Sequence, residues 1–103
     1  METHITSSQW EAIGDATRRQ LLERLRRGPS SVAELAQGLP VSRPAVSQHL
    51  RVLKDAGMVR DRAEGTRRIY ALDLQGFASL REYLESFWTE ALEAFAARAE
   101  ERD

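Results

Sequence analysis

Residues 41–62, VSRPAVSQHLRVLKDAGMVRDR, decide the fold. The stretch predicts one helix over 42–56 with a sharp start and a sharp stop. Ser42 is a capping residue, and Pro44 falls in the first turn, where its missing N–H is one of the helix's orphan donors in any case. Gly57 closes the helix, because glycine enters the left-handed C′ conformation without steric cost. At 100° per residue Val46, Leu50 and Leu53 share one stripe, flanked by Ala45, His49 and Ala56. Opposite them lie Pro44, Ser47, Gln48 and Arg51. A solvated helix face usually carries long Glu and Lys side chains. This one carries the small and hydrogen-bonding groups that read base edges in a major groove.

Working upstream, SSVAELAQGLP (residues 30–40) predicts a two-turn helix capped by Ser30 or Ser31, with Val32, Leu35 and Leu39 inward. Two short helices joined by a tight turn form a helix-turn-helix, expected over 31–56. Before it, DATRRQLLERLRR (15–27) starts at a capping Asp15 and stops at Gly28-Pro29. TSSQWEAIG (6–14) predicts a first short helix, capped near Thr6 or Ser7 and presenting Trp10 and Ile13.

Downstream of Gly57 the periodicity changes. MVRDRA and TRRIYAL lean to β structure around Glu64-Gly65, which predicts a hairpin, or wing, over 58–72. From Asp73 to about Glu101 the pattern is again helical. Phe77, Leu80, Leu84, Trp88, Ala91 and Phe95 recur at helical spacing, with Phe87 and Leu92 widening the stripe. Gly76 weakens the first turn, so the helix is expected to begin properly at Phe77. Some 25 residues make a rod of ~38 Å, long for so small a domain. The expected fold class is mainly α (α+β): one domain over 1–103, with four or five helices and a two-stranded wing.

The 103 residues carry 15 Lys and Arg against 16 Asp and Glu, a net charge of −1. The distribution says more than the total. Residues 1–41 balance five against five. Residues 42–72 hold seven basic groups (Arg43, Arg51, Lys54, Arg60, Arg62, Arg67, Arg68) against three acidic, and 73–103 hold three against eight. Screening makes the local patch decisive for phosphate. A basic middle and an acidic tail fit DNA on one side and another partner on the other. The absence of cysteine excludes disulfides, thiolate metal sites and Fe–S clusters. No apolar run approaches a membrane span, and Met-Glu-Thr-His does not begin like a signal peptide, so the expected place is the cytoplasm.

Three blocks, AIGDATRRQLLERL, SVAELAQGLPVSRPAVSQHLRVLKDAGMV and RDRAEGTRRIYAL, stand in an order that resembles the ArsR/SmtB family of bacterial winged-helix repressors. The resemblance runs over about residues 10–95. It implies a homodimer built on the first and last helices, with the 42–56 helix in the major groove and the wing along the flanking backbone. Metal-sensing relatives carry cysteines just before the acidic-Leu pair of the third helix. Here Glu34-Leu35 follows Ser31, Val32 and Ala33. Relatives with ligands on the last helix hold them at positions corresponding to about Leu74, Gly76, Phe87 and Glu90, of which three cannot bind metal. No metal and no cofactor is expected, since a soft or borderline ion needs several N or S donors.

The residues expected to contact double-stranded DNA are Ser42, Arg43, Pro44, Ser47, Gln48 and Arg51 on the helix and Arg62, Arg67 and Arg68 on the wing. Gln48 suits a bidentate pair with adenine, and Arg51 suits guanine O6/N7 or a phosphate. His49, beside the core stripe, is expected to pack and hydrogen-bond within the protein. Arg18 and Arg19 are weaker candidates for the DNA backbone. Trp10, Ile13, Phe77, Leu80, Leu84, Phe87, Trp88, Ala91, Leu92 and Phe95 are expected to form the interface with a second copy. The reading is therefore a sequence-specific transcriptional repressor on a near-palindromic operator. Its alternatives are a winged helix that docks protein, and a repressor released by a small organic effector at the dimer interface. Catalysis is not expected: no Cys, no Ser–His–carboxylate set and no Gly-rich phosphate loop is present.

Overall fold

The computed structural model describes the backbone of residues 2–101 and side chains from Ser7 onward. Five helices and three short strands follow in the order α1 (Glu2–Ile13), α2 (Ala16–Leu25), β1 (Ser30–Ser31), α3 (Val32–Ala36), α4 (Arg43–Asp55), β2 (Val59–Glu64), β3 (Arg67–Leu72) and α5 (Leu74–Glu101). The winged helix-turn-helix is α3, α4 and the β2–β3 hairpin. Among the described residues no helix is long and apolar enough to cross a membrane.

The local chemistry explains the boundaries. Ser42 Oγ accepts the Ala45 N–H at 3.2 Å, with Pro44 in the first turn of α4. At the other end Gly57 has φ +77°. There the Met58 N–H reaches Leu53 O and the Gly57 N–H reaches Lys54 O, both at 2.9 Å. This pair of bonds closes the helix as a Schellman turn. In α3, Ser31 and Glu34 cap each other reciprocally: the Glu34 N–H donates to Ser31 Oγ at 3.2 Å and the Ser31 N–H to Glu34 Oε1 at 2.9 Å.

Three boundaries differ from expectation. α1 begins at Glu2, so Thr6 and Ser7 lie inside it and are not its caps. α3 starts behind its Ser31 cap as expected but has five residues instead of two full turns, because the chain leaves the helix at Gln37 (φ −59°, ψ 125°). Ahead of it Ser30 and Ser31 pair with Tyr70 and Ile69 as a third strand, giving the sheet order β1-β3-β2. α5 starts at Leu74, and Gly76 lies buried inside its first turns. An added Cβ at Gly76 would sit 1.9 Å from Gly57 O. That glycine is a point of backbone contact between α5 and the turn that ends α4.

Leu21, Leu35, Val46, Leu50, Leu53 and Met58 are almost wholly buried, and Leu25, Val59, Tyr70 and Leu80 join the same cluster. The cluster closes where α1, α2, α4 and the root of the wing meet. Beyond it the molecule is drawn out: its extents are 66 × 27 × 23 Å and its radius of gyration is 17.8 Å, against about 13 Å for a compact chain of this length. The excess comes from α5. Every residue of it from Arg81 to Glu101 is exposed.

Candidate nucleic-acid interface

α4 presents its two faces as the stripe requires. Val46, Leu50 and Leu53 are 0% exposed, whereas Ser42, Arg43, Pro44, Ser47, Gln48 and Arg51 are all exposed. Of these, Arg43, Ser47, Gln48 and Arg51 have no side-chain hydrogen bond or ion pair among the described residues. Their donors and acceptors face solvent unsatisfied by the protein. Val52, 41% exposed beside Gln48, adds an apolar side chain to this face that the sequence stripe did not single out.

The wing divides its arginines between two faces. In the β2–β3 register Asp61 stands opposite Tyr70 and Ala63 opposite Arg68, while Arg62 stands opposite Ile69 and Glu64 opposite Arg67. Cross-strand partners share a face. Arg68 therefore lies on the face turned to the core, and Arg62 and Arg67 lie on the other. A groove between α3, the start of α4 and the wing tip gathers Arg43, Pro44, Ser47, Arg67 and Arg68, with Thr66 and Glu34 in its wall. Arg62 lines a separate concavity on the back of the sheet with Arg60, Ile69 and Pro29. Gln48 and Arg51 line neither, being further along α4.

Three of the four wing arginines also have an acidic neighbour; Arg60 has no ion pair among the described residues. Arg62 pairs with Glu64 at 3.1 Å, Arg67 with Glu34 at 3.4 Å and Arg68 with Asp61 at 3.4 Å. The Asp61 side chain is 7% exposed and also holds Lys54 at 2.9 Å, which ties the end of α4 to the wing. Tyr70 lies beside it, and burial, reinforced by the Asp61 charge, pushes its phenol above the usual tyrosine range.

Arg18 and Arg19 are committed inside the chain. Arg18 Nε donates to Ala12 O at 2.7 Å and its Nη2 to Glu11 O at 3.1 Å, while Arg19 Nη1 donates to Ile13 O at 2.7 Å. These guanidiniums satisfy the carbonyls that α1 leaves open at its C-terminus. The half-buried His49 ring turns the same way, its Nδ1 3.3 Å from Arg18 Nη1. Asp15 caps α2 through the Arg18 N–H at 3.0 Å, and that bond holds its carboxyl below the usual range. In Glu34 the Ser31 N–H and hydroxyl do the same, with Arg67 adding to them.

Among the residues expected at an interface between copies, Leu80 is 8% exposed and belongs to the chain's own core, with Ile13 and Phe77 packed against that core. These three are at least partly taken up by their own chain. Trp10, Leu84, Phe87, Trp88, Leu92 and Phe95 remain open at 44–74% exposure, and Ala91 is exposed among them. Tyr83, 42% exposed, extends the patch. Among the described residues no group of three or more His, Asp or Glu side chains is placed to hold a metal ion.

Residues 15–61 match the family model described as bacterial regulatory protein, arsR family. An HTH-type transcriptional regulator of Mycobacterium tuberculosis, Rv2034, is 60% identical over 87 residues, which cover 84% of this chain and 81% of that protein. The chain belongs to the ArsR family. This family member is a winged helix-turn-helix, DNA-binding transcriptional regulator. The transcriptional repressor SdpR of Bacillus subtilis is 34% identical over 64 residues, covering 62% of this chain and 71% of SdpR. Among solved structures, the homodimeric winged helix-turn-helix DNA-binding domain Mb0332 of Mycobacterium bovis superposes with a TM-score of 0.65 at 27% identity, covering 90% of this chain and 83% of that one.

Proposed function

We propose that this ArsR-family regulator is a homodimeric repressor that binds a near-palindromic operator and blocks polymerase by occupancy. The observation that carries this is the outer face of α4, where Arg43, Ser47, Gln48 and Arg51 stand exposed and unpartnered. Ser42, Arg43 and Ser47 lie at the positive end of the helix, where phosphate oxygens are welcome. Pro44 and Val52 suit thymine methyls, Gln48 an adenine and Arg51 a guanine. Arg67 and Arg68 track the backbone beside α3, and Arg62 follows from the outer face of the wing. The exposed apolar patch of Trp10 on α1 and Leu84, Phe87, Trp88, Ala91, Leu92 and Phe95 on α5 pairs with the same residues of a second copy, which sets two α4 helices about one DNA turn (~34 Å) apart. The homodimeric state of the similar Mycobacterium bovis domain and the repressor role of SdpR both support this reading. The residues serve binding and not catalysis, within one domain spanning 1–103 and acting on DNA in the cytoplasm.

The test is a fluorescence titration of the purified protein against pooled genomic duplexes at two salt concentrations, followed by sequencing of the bound fraction. The expected result is affinity that falls steeply with salt and an enriched inverted repeat with half-sites one turn apart. Salt-independent binding, or none, overturns it and leaves the protein-docking winged helix.

A further inference from the structure

Arg67 is held differently from the other wing arginines. Its register partner across the hairpin is Glu64, yet its guanidinium reaches away to Glu34 on α3, Nη2 to Oε1 at 3.4 Å. Both side chains are more than half exposed, and both line the groove that gathers Arg43 and Ser47. A negative charge therefore stands inside a surface otherwise suited to phosphate. Unlike Glu64 at the wing tip, Glu34 is anchored. The same Oε1 that meets Arg67 accepts the Ser31 N–H at 2.9 Å and the Ser31 hydroxyl at 3.1 Å.

Resting on the DNA-binding reading above, we propose that Glu34 is a built-in competitor for phosphate that occupies Arg67 and weakens the protein's hold on any duplex, whatever its sequence. A guanidinium offers one fork of donors to a carboxylate or a phosphate. When DNA docks, Arg67 exchanges Glu34 for a backbone oxygen. Glu34, tied to the cap of α3, stays nearby and repels that oxygen. Its carboxyl is held below the usual range by the Ser31 bonds, so the charge is present throughout the neutral range. The consequence is a smaller sequence-independent share of affinity and shorter residence on random DNA, which outnumbers operators by a factor on the order of a million or more.

Glu34 thus has two roles that chemistry can separate. Capping needs an acceptor at this position, which Gln supplies, whereas competition needs the charge. The experiment compares wild type, Glu34→Gln, Arg67→Ala and the double variant on a fluorescent random-sequence duplex across a salt series, with unfolding midpoints recorded for each. The expected result is that Glu34→Gln keeps its unfolding midpoint and binds roughly two- to fivefold tighter. Its log–log salt slope steepens by about 0.9, and the gain disappears when Arg67 is absent. The proposal is overturned if Glu34→Gln binds the random duplex no tighter than wild type, or if its gain survives undiminished in the Arg67→Ala background. Loss of affinity for a selected operator alone also overturns it, by making Glu34 a reader of cytosine N4. Wild type that binds no duplex at all removes the underlying DNA-binding reading, an outcome visible before any variant is compared.

Discussion

α4 and α5 are both amphipathic helices, and the chain finishes one of them and leaves the other open. The apolar stripe of α4 is wholly covered by its own core, with Val46, Leu50 and Leu53 at 0% exposure. What remains outside is mostly polar, with Val52 the exposed apolar side chain, and Arg43, Ser47, Gln48 and Arg51 are unpartnered among the described residues. The stripe of α5 is covered only as far as Leu80; beyond it Leu84, Phe87, Trp88, Leu92 and Phe95 are open. Neither outer surface is covered by the chain's own fold, and the two invite different partners. Exposed amides, hydroxyls and guanidiniums gain most from base edges and phosphates, whereas a bare aromatic stripe gains most from another apolar surface.

The largest expected effect breaks the open helix. The double variant Phe87→Glu, Trp88→Glu places four charges in the proposed seam of a dimer. Burial of each aromatic is worth about 1.5–3 kcal/mol, so the dimer dissociation constant should rise by at least ~1000-fold. Sedimentation should then show monomer at micromolar concentration, with α4 folded and the affinity for a palindromic site lost. An unchanged dimer would move the seam elsewhere on the surface. Next in size is Gly76→Ala. Helix propensity alone favours Ala by up to about 1 kcal/mol, but its Cβ would overlap the backbone of Gly57, which cannot rotate away as a flexible side chain does. Packing wins, and the variant should lose about 3 kcal/mol in urea unfolding. A stabilised variant would show that α5 does not rest on the turn that ends α4.

This difference between the helices was only half legible in the sequence. α4 could be read nearly to the residue, because Ser42, Pro44 and Gly57 are local signals and a thirteen-residue helix repeats its stripe three times. The wing was legible for a similar reason, through Glu64-Gly65 between two β-leaning runs. β1 was not, since two serines carry no period and their pairing depends on where β3 arrives. Gln9 carries no sequence signal for a related reason. It is 1% exposed on the inner face of α1, where its Nε2 donates to Gly76 O at 3.0 Å, a partner 67 residues away. In the sequence Gly76 signals only a weak point in a helix, and its use as a contact surface depends on Gly57. Arginine was the least legible residue type. Its charge marks it for DNA, yet Arg18 and Arg19 cap α1 and Arg24 donates to the carbonyls of Leu35 and Gln37 at the end of α3. Only proximity in the fold separates these from Arg43 and Arg51.

The finished helix gives a smaller and more selective effect. Gln48→Ala and Arg51→Ala remove unpartnered groups from an exposed face, so neither should shift the unfolding midpoint by more than a few tenths of a kcal/mol. Each should lose about 1–3 kcal/mol of operator affinity and relax preference at one base position per half-site. A competition assay over single-base operator variants separates this from a phosphate contact, which weakens all sequences alike. If both variants bind as tightly and as selectively as wild type, the reading face lies elsewhere on α4.

The smallest expected effect concerns the caps that hold the two halves of the comparison in place. Asp15 and Glu34 have carboxyls lowered below their ordinary values of 3.8 and 4.5, first by the N–H groups of Arg18 and Ser31 respectively. A depressed folded value means that the unfolded chain takes up protons first. The contribution is therefore complete above about pH 5 and is lost as the pH falls through the lowered folded values. Urea midpoints should be level between pH 7 and about pH 5, then decline more steeply below about pH 4.5. Asn caps a helix as well as Asp, and Gln serves the reciprocal cap of α3. The double variant Asp15→Asn, Glu34→Gln should thus unfold near wild type at pH 7 and show a shallower decline in acid. An identical decline would place the acid sensitivity on carboxylates other than these two caps.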